Sequence, residues 1–183
     1  NAQAELLAAL KGIQGNALSC DFAMPTGTAQ NPVIFTDDAD DSAGGDTNNN
    51  GVSVGAPASW RGLVFSSTSN SSVLTWTEAR YGGTSYVSNF HLTGASPTFV
   101  NCTSRNNYTD GMQLNATSFP TVTNCTFTNN NGAAVAGVPL TAVPGFTNNT
   151  ASGNAGNYMH VTSAAVDGYL KIGPQSVLNG ALM

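Results

Sequence analysis

Apolar and polar residues alternate with period two in segments that recur along the chain. Setting Ser96–Asn107 above Phe119–Asn130 aligns them at an offset of 23; Val143–Asn154 follows at a further 24, and Ser71–Gly82 precedes at 25. Down the columns, Leu74, Phe99, Val122 and Phe146 are apolar. Trp76, Asn101, Asn124 and Asn148 come next, then Thr77, Cys102, Cys125 and Asn149, and then Ala79, Ser104, Phe127 and Ala151. Between the last two columns run the polar Glu78, Thr103, Thr126 and Thr150. Alternation with period two predicts strands with one face inward and one outward. A strand that returns every two dozen residues, with no helical segment between copies, excludes a βαβ fold. It predicts an all-β solenoid of about 23–25 residues per coil, whose strands stack in parallel about 4.8 Å apart.

The asparagines fit such a coil. Asn tolerates left-handed backbone and bonds locally, so Asn101, Asn124 and Asn148 are expected at a tight bend repeated in each turn. Stacked there, their amides are expected to bond one to the next as a ladder. A second column, Asn107, Asn130 and Asn154, falls where each strand leaves its sheet, and Gly111, Gly132 and Gly156 follow soon after, as loops require. Both columns read as structural ladders rather than ligand sites.

This pattern resembles the right-handed parallel β-helix proteins of the pectate-lyase-like superfold. The N-terminal half sharpens the resemblance. Asn31-Pro32-Val33-Ile34-Phe35-Thr36 leads into Asp37-Asp38 and Gly44-Gly45-Asp46-Thr47-Asn48-Asn49-Asn50-Gly51. Ala58-Ser59-Trp60-Arg61-Gly62-Leu63-Val64-Phe65 and Ala79-Arg80-Tyr81-Gly82-Gly83 follow. The series is similar to that of bacterial secreted and surface β-helix repeat proteins over roughly Ala29 to Tyr158. The resemblance implies a single β-helix domain over 1–183, a processed form or fragment of a longer surface protein. Residues 1–28 are then the N-terminal cap or first coil, 29–158 the core coils and 159–183 the C-terminal coil. Ala4–Ile13 carries an apolar stripe with helical propensity, which suits either a short capping helix or an opening strand. Tyr169–Leu182 reads as one or two final strands around Gly173-Pro174.

Composition narrows the partners. Only 15 of 183 residues are charged, while Asn, Ser and Thr number 59. Five basic residues and a net charge of −5 make a poor polyanion binder, so nucleic acid is excluded. The apolar runs fall far short of the ~20 residues that span a membrane, so no transmembrane segment is expected. A surface polar through hydroxyls and amides suggests an extracellular or cell-surface location. Cys20, Cys102 and Cys125 are too few and too odd in number for a disulfide framework. Cys102 and Cys125, one coil apart, read as a reduced buried pair.

Among candidate sites, the acidic loop is the strongest local signal. Asp46-Thr47-Asn48-Asn49-Asn50-Gly51 matches the first half of a calcium loop, with further carboxylates available at Asp37, Asp38 and Asp41. The candidate ligands are Asp37, Asp38, Asp46, Asn48 and Asn50, although position 12 of such a loop is Pro57 rather than Glu. No other cofactor is implied. Glycoside hydrolysis needs two carboxylates at a set separation. Glu78 and Asp110 fall on different parts of the coil, Arg80 and Arg105 share an outward column, and His91 and His160 stand alone, so no catalytic residue is assigned. The leading reading is a non-catalytic module with a structural, adhesive or glycan-binding role. Its partners would be polysaccharide or other surface proteins, with Trp60 or Trp76 available to stack on a sugar ring. End-to-end self-association into fibres is a variant. A polysaccharide lyase or glycoside hydrolase is the alternative; the outward Thr rows are too broken for an ice-binding surface.

Overall fold

The computed structural model describes residues 17–19, 26–84, 86–115, 117–162 and 167–171. The expected cap over Ala4–Ile13, Cys20 and the turn at Gly173–Pro174 lie outside them.

The described chain forms short strands and no α-helix. β1 (Ala17–Ser19), β2 (Val33–Phe35) and β3 (Gly62–Phe65) precede four three-strand coils. The coils are β4 (Val73–Thr75), β5 (Thr77–Arg80) and β6 (Phe90–Leu92); β7 (Thr98–Val100), β8 (Thr103–Arg105) and β9 (Met112–Leu114); β10 (Thr121–Thr123), β11 (Thr126–Thr128) and β12 (Ala133–Pro139); and β13 (Phe146–Thr147), β14 (Thr150–Ser152) and β15 (Gly156–Thr162). β16 (Asp167–Lys171) follows. The first strand of each coil joins the sheet β13-β10-β7-β4, the second joins β14-β11-β8-β5-β2, and the third joins β1-β3-β6-β9-β12-β15-β16. The result is a right-handed parallel solenoid of about four turns.

The registers reproduce the sequence columns. Leu74 pairs with Phe99, Phe99 with Val122, and Val122 with Phe146. Ala79, Ser104, Phe127 and Ala151 form a second continuous row. Inward residues of the three sheets meet along one axial core, which includes Leu63, Phe65, Phe90, Leu92, Met112 and Val135. Phe99 lies at its centre, with ring centroids 5.3 Å from Phe65 in an edge-on contact and 5.1 Å from Phe90.

At the C-terminal end β16 runs antiparallel to β15, with Met159 opposite Leu170 and His160 opposite Tyr169; most of the expected C-terminal coil over 159–183 lies outside the described residues. Reversal stops the parallel stacking of that sheet at β15. No helix among the described residues is long and apolar enough to cross a membrane.

Candidate functional site

Each coil turns two tight corners. At the first, between the strands of the first and second sheets, Trp76, Asn101, Asn124 and Asn148 all take left-handed backbone, with φ of 50°, 56°, 55° and 54°. At the second stand Tyr81, Asn106, Asn129 and Gly153, with φ of 63°, 53°, 54° and 66°. Side chains at a left-handed corner splay outward, so Asn124 and Asn148 are exposed and Asn101 half-buried. The interlocked amides expected of that column lie instead in the second one, Asn107, Asn130 and Asn154. There the residue after the corner points into the solenoid, where water cannot replace its partners. Asn107 N–H donates to Asn130 Oδ1 at 3.1 Å, and Asn130 N–H and Nδ2 both donate to Asn154 Oδ1, at 3.0 and 2.8 Å. Asn130 Nδ2 also reaches the Ser104 carbonyl and Asn154 Nδ2 the Phe127 carbonyl. Asn157 ends the ladder by accepting Asn154 N–H at 3.0 Å. A second inward polar row passes Cys102 and Cys125: Cys102 N–H donates to Cys125 Sγ, and Cys125 N–H to Asn149 Oδ1 at 2.8 Å. Both thiols are free and buried. The contact with Cys102 and burial push the Cys125 thiol up, which leaves it inert.

The acidic loop folds back over the coil rather than standing away from it. Asp40 Oδ2 lies 2.6 Å from Arg80 Nε, and both side chains are buried. Thr36 and Ser42 hydroxyls also donate to Asp40, each at 2.6 Å. Burial raises the Asp40 carboxyl, but the Ser42 and Thr36 hydroxyls and the Arg80 guanidinium outweigh it and hold Asp40 below the usual carboxylate range. Arg80 therefore shares its register with Arg105 but is covered by the loop, against the expectation of an open outward column. Glu78 Oε1 is clamped by Arg80 Nη1 at 3.0 Å and Arg105 Nε at 2.7 Å.

The proposed calcium ligands serve different parts of this loop. Asp37, buried at its base, accepts Ser59 Oγ at 2.6 Å and Ala56 N–H at 3.0 Å. Against burial, which raises it, those hydrogen bonds hold Asp37 below the usual range. Asp38 follows, half-buried. At the exposed tip Asp46 accepts the N–H groups of Asn50 and Gly51, at 3.1 and 3.0 Å, and Asn48 Oδ1 also faces Asn50 N–H. Asn50 Oδ1 accepts Ser53 Oγ. These oxygens thus meet N–H and O–H donors, the surroundings of a turn. Among the described residues no group of three or more His, Cys, Asp or Glu is arranged to hold a metal ion.

The outer face of the second sheet offers a different chemistry. Glu78, Thr103, Thr126 and Thr150 stand in register on it. Thr126 and Thr150 hydroxyls lie 3.2 Å apart, as do those of Thr128 and Ser152. Where this face meets the first corner, a groove of about 290 Å³ is lined by Trp76, Glu78, Asn101, Thr103, Asn124 and Thr126, with Pro32 beside them. The chain at Gly27–Val33 closes one end: Gly27 N–H donates to the Thr75 carbonyl and Val33 N–H to that of Trp76, each at 2.9 Å. A Cβ at Gly27 would sit 2.4 Å from the Trp76 carbonyl oxygen, so only glycine fits there. Trp60, the other candidate for ring stacking, is 4% exposed and donates its indole N–H to the Arg80 carbonyl, which leaves Trp76 alone at a surface.

Residues 85–168 match the family model described as a right handed beta helix region. No curated protein and no solved structure matches the chain. The match covers the β-helix from β6 through β15, the stretch with the most regular ladders, and stops short of the Trp76 corner and the acidic loop. The β-helix therefore supplies a rigid scaffold. On it, a half-buried indole, two asparagine amides, two threonine hydroxyls and one neutralised carboxylate share one groove, a set suited to holding a polyhydroxylated ligand without transferring protons.

Sequence reasoning left His160 isolated and Asp110 unused, yet both line one indentation on the third sheet, together with Tyr158. Nothing in their spacing of fifty residues announces this, but one coil length separates Asp110 from Ala133 and another separates Ala133 from Gly156, so column counting brings the three segments together.

Proposed function

We propose that this β-helix is a non-catalytic extracellular or cell-surface module that docks on polysaccharide through the groove beside Trp76. The observation that carries the reading is Trp76 itself. Three coils fill this left-handed corner with Asn, and the fourth places an indole there at φ 50°. A bulky residue at positive φ is an outlier with a backbone cost of about 1–2 kcal/mol, and such strain concentrates at binding sites. The groove presents what a sugar needs: an aromatic surface for its C–H face, and Asn and Thr groups that both donate and accept for its hydroxyls. Its one carboxylate, Glu78, is tied to two guanidiniums, which supports binding over acid–base chemistry. The low charge and abundant hydroxyls and amides of the surface support an extracellular setting.

Affinity electrophoresis through gels containing xylan, mixed-linkage β-glucan, galactomannan or pectin tests this. Retardation by at least one polymer is expected, with no release of reducing ends. Trp76→Ala and the double variant Thr103→Ala/Thr126→Ala should each lose it; the second touches only outward hydroxyls and keeps the fold. Retardation unchanged in both variants, or polymer cleavage, overturns the proposal.

A further inference from the structure

We infer that a second cleft, on the outer face of the third sheet, is a binding subsite for a neutral sugar unit, built from Asp110, Tyr158 and His160. It shares with the groove reading only the idea that the module meets glycans; its residues and its sheet are different.

The cleft has a volume of about 350 Å³, within the range of small-ligand sites. Its floor is made by residues with almost no side chain, Gly132, Ala133 and Gly156 among them, where the ends of β12 and β15 meet. A Cβ on Gly132 would lie 2.5 Å from Asp110 Oδ1 and 2.8 Å from the Thr109 backbone, and one on Gly156 would lie 2.4 Å from the Tyr158 ring and displace it. Each wall is thus held directly over a glycine.

Asp110 is fixed by the Ala133 N–H, which donates to its Oδ1 at 2.7 Å. The Asp110 side chain, so held, lines the cleft. Burial pushes the Asp110 carboxyl up, against the Ala133 hydrogen bond and the nearby His160. The opposite wall depends on an irregularity. Ala133 pairs with Gly156 but Val135 pairs with Met159, so β15 carries one extra residue between them. An extra residue in one strand re-aims the local side chains, a device common beside functional sites. Here it falls at Asn157–Tyr158. Asn157 turns to the end of the amide ladder, and the Tyr158 ring is laid over Gly156. Two residues on, His160 lies on the same outward face as Tyr158.

A carboxylate accepts two adjacent hydroxyls, an imidazole can donate or accept, and a tyrosine ring covers an apolar face. Together these match one sugar ring with free hydroxyls. The charge of the wall, and the net −5 of the chain, select against uronate and sulfated units.

The test is amide chemical-shift mapping on the full chain, titrated separately with cellotetraose, xylotetraose, mannotetraose and trigalacturonate. At least one neutral tetrasaccharide should shift Gly132, Ala136 and Gly156 saturably, in the wild type and in Trp76→Ala alike. Ala155→Trp, which puts a bulky side chain at an exposed position on the cleft rim, should obstruct the cleft and weaken that binding by about tenfold without lowering the melting temperature. No shift at these amides with any neutral tetrasaccharide, binding confined to trigalacturonate, or binding indifferent to Ala155→Trp overturns the subsite. The groove is read at other amides, those of Thr103 and Thr126, so failure of either site leaves the other's result legible.

Discussion

Replacing Asn130 with alanine removes the middle rung of the amide ladder and nothing from the apolar core. Asn130 is 1% exposed. Its Oδ1 is the acceptor for Asn107 N–H, and its Nδ2 donates to Asn154 Oδ1 and to the Ser104 carbonyl. Alanine strands the buried Asn107 N–H, at about 1–3 kcal/mol, and removes two further hydrogen bonds worth about 1 kcal/mol each. Asn154 Oδ1 keeps the Asn130 backbone N–H, which limits the damage on that side. The expected loss is about 3 kcal/mol. The comparison is Asn124→Ala, at an exposed corner with φ of 55°, where only the cost of left-handed backbone applies, about 1–2 kcal/mol. Asn124→Gly should cost close to nothing. Urea denaturation followed by circular dichroism measures all three, with an unchanged denaturant slope as the check that the same structure unfolds. Loss of less than about 0.5 kcal/mol in Asn130→Ala, below the net worth of a single ordinary hydrogen bond, refutes the ladder, as does an Asn124→Ala penalty larger than that of Asn130→Ala.

Asp40→Ala should destabilise by about 1.5–3 kcal/mol, because it removes the closer of the two carboxylates from the buried Arg80 guanidinium and leaves it Glu78 alone, and limited proteolysis should then cut within residues 36–59. Urea midpoints should fall on acidification: Asp37 and Asp40 are depressed in the fold, so their contribution is complete above the unfolded value of about 3.9 and is lost as pH drops through their folded values. A midpoint that rises between pH 5 and 2 would contradict this. Millimolar calcium against chelator should leave the melting temperature unchanged, since Asp46 and Asn48 already accept backbone N–H groups; a rise of several degrees would instead show a bound cation.

The repeat was legible because a solenoid writes its geometry into the sequence at fixed intervals. Leu74, Phe99, Val122 and Phe146 could be stacked by counting, and the structure pairs them in that order. Which asparagine of a doublet does which job was harder. Asn106-Asn107 and Asn129-Asn130 are pairs in which one residue turns the corner and the next is buried, and composition treats both alike. Gly153-Asn154 held the missing signal: glycine marks the left-handed position, so Asn154, and with it Asn130 and Asn107, must be the inward one. Burial of Arg80 was not legible, because Asp40 and Thr36 approach it across some forty residues of chain, from a loop with no period to follow. The same holds for Tyr158, whose placement rests on one extra residue in β15 that no hydrophobic pattern records.

The groove claim is tested most directly by acrylamide quenching of tryptophan fluorescence during titration with the polysaccharide panel. Trp60 is buried, with its indole N–H satisfied, so the quencher reaches Trp76. Saturable protection of that fluorescence by a polysaccharide, with the polymer recovered intact, is the predicted result. Quenching unaffected by every polymer at saturating concentration would contradict the account.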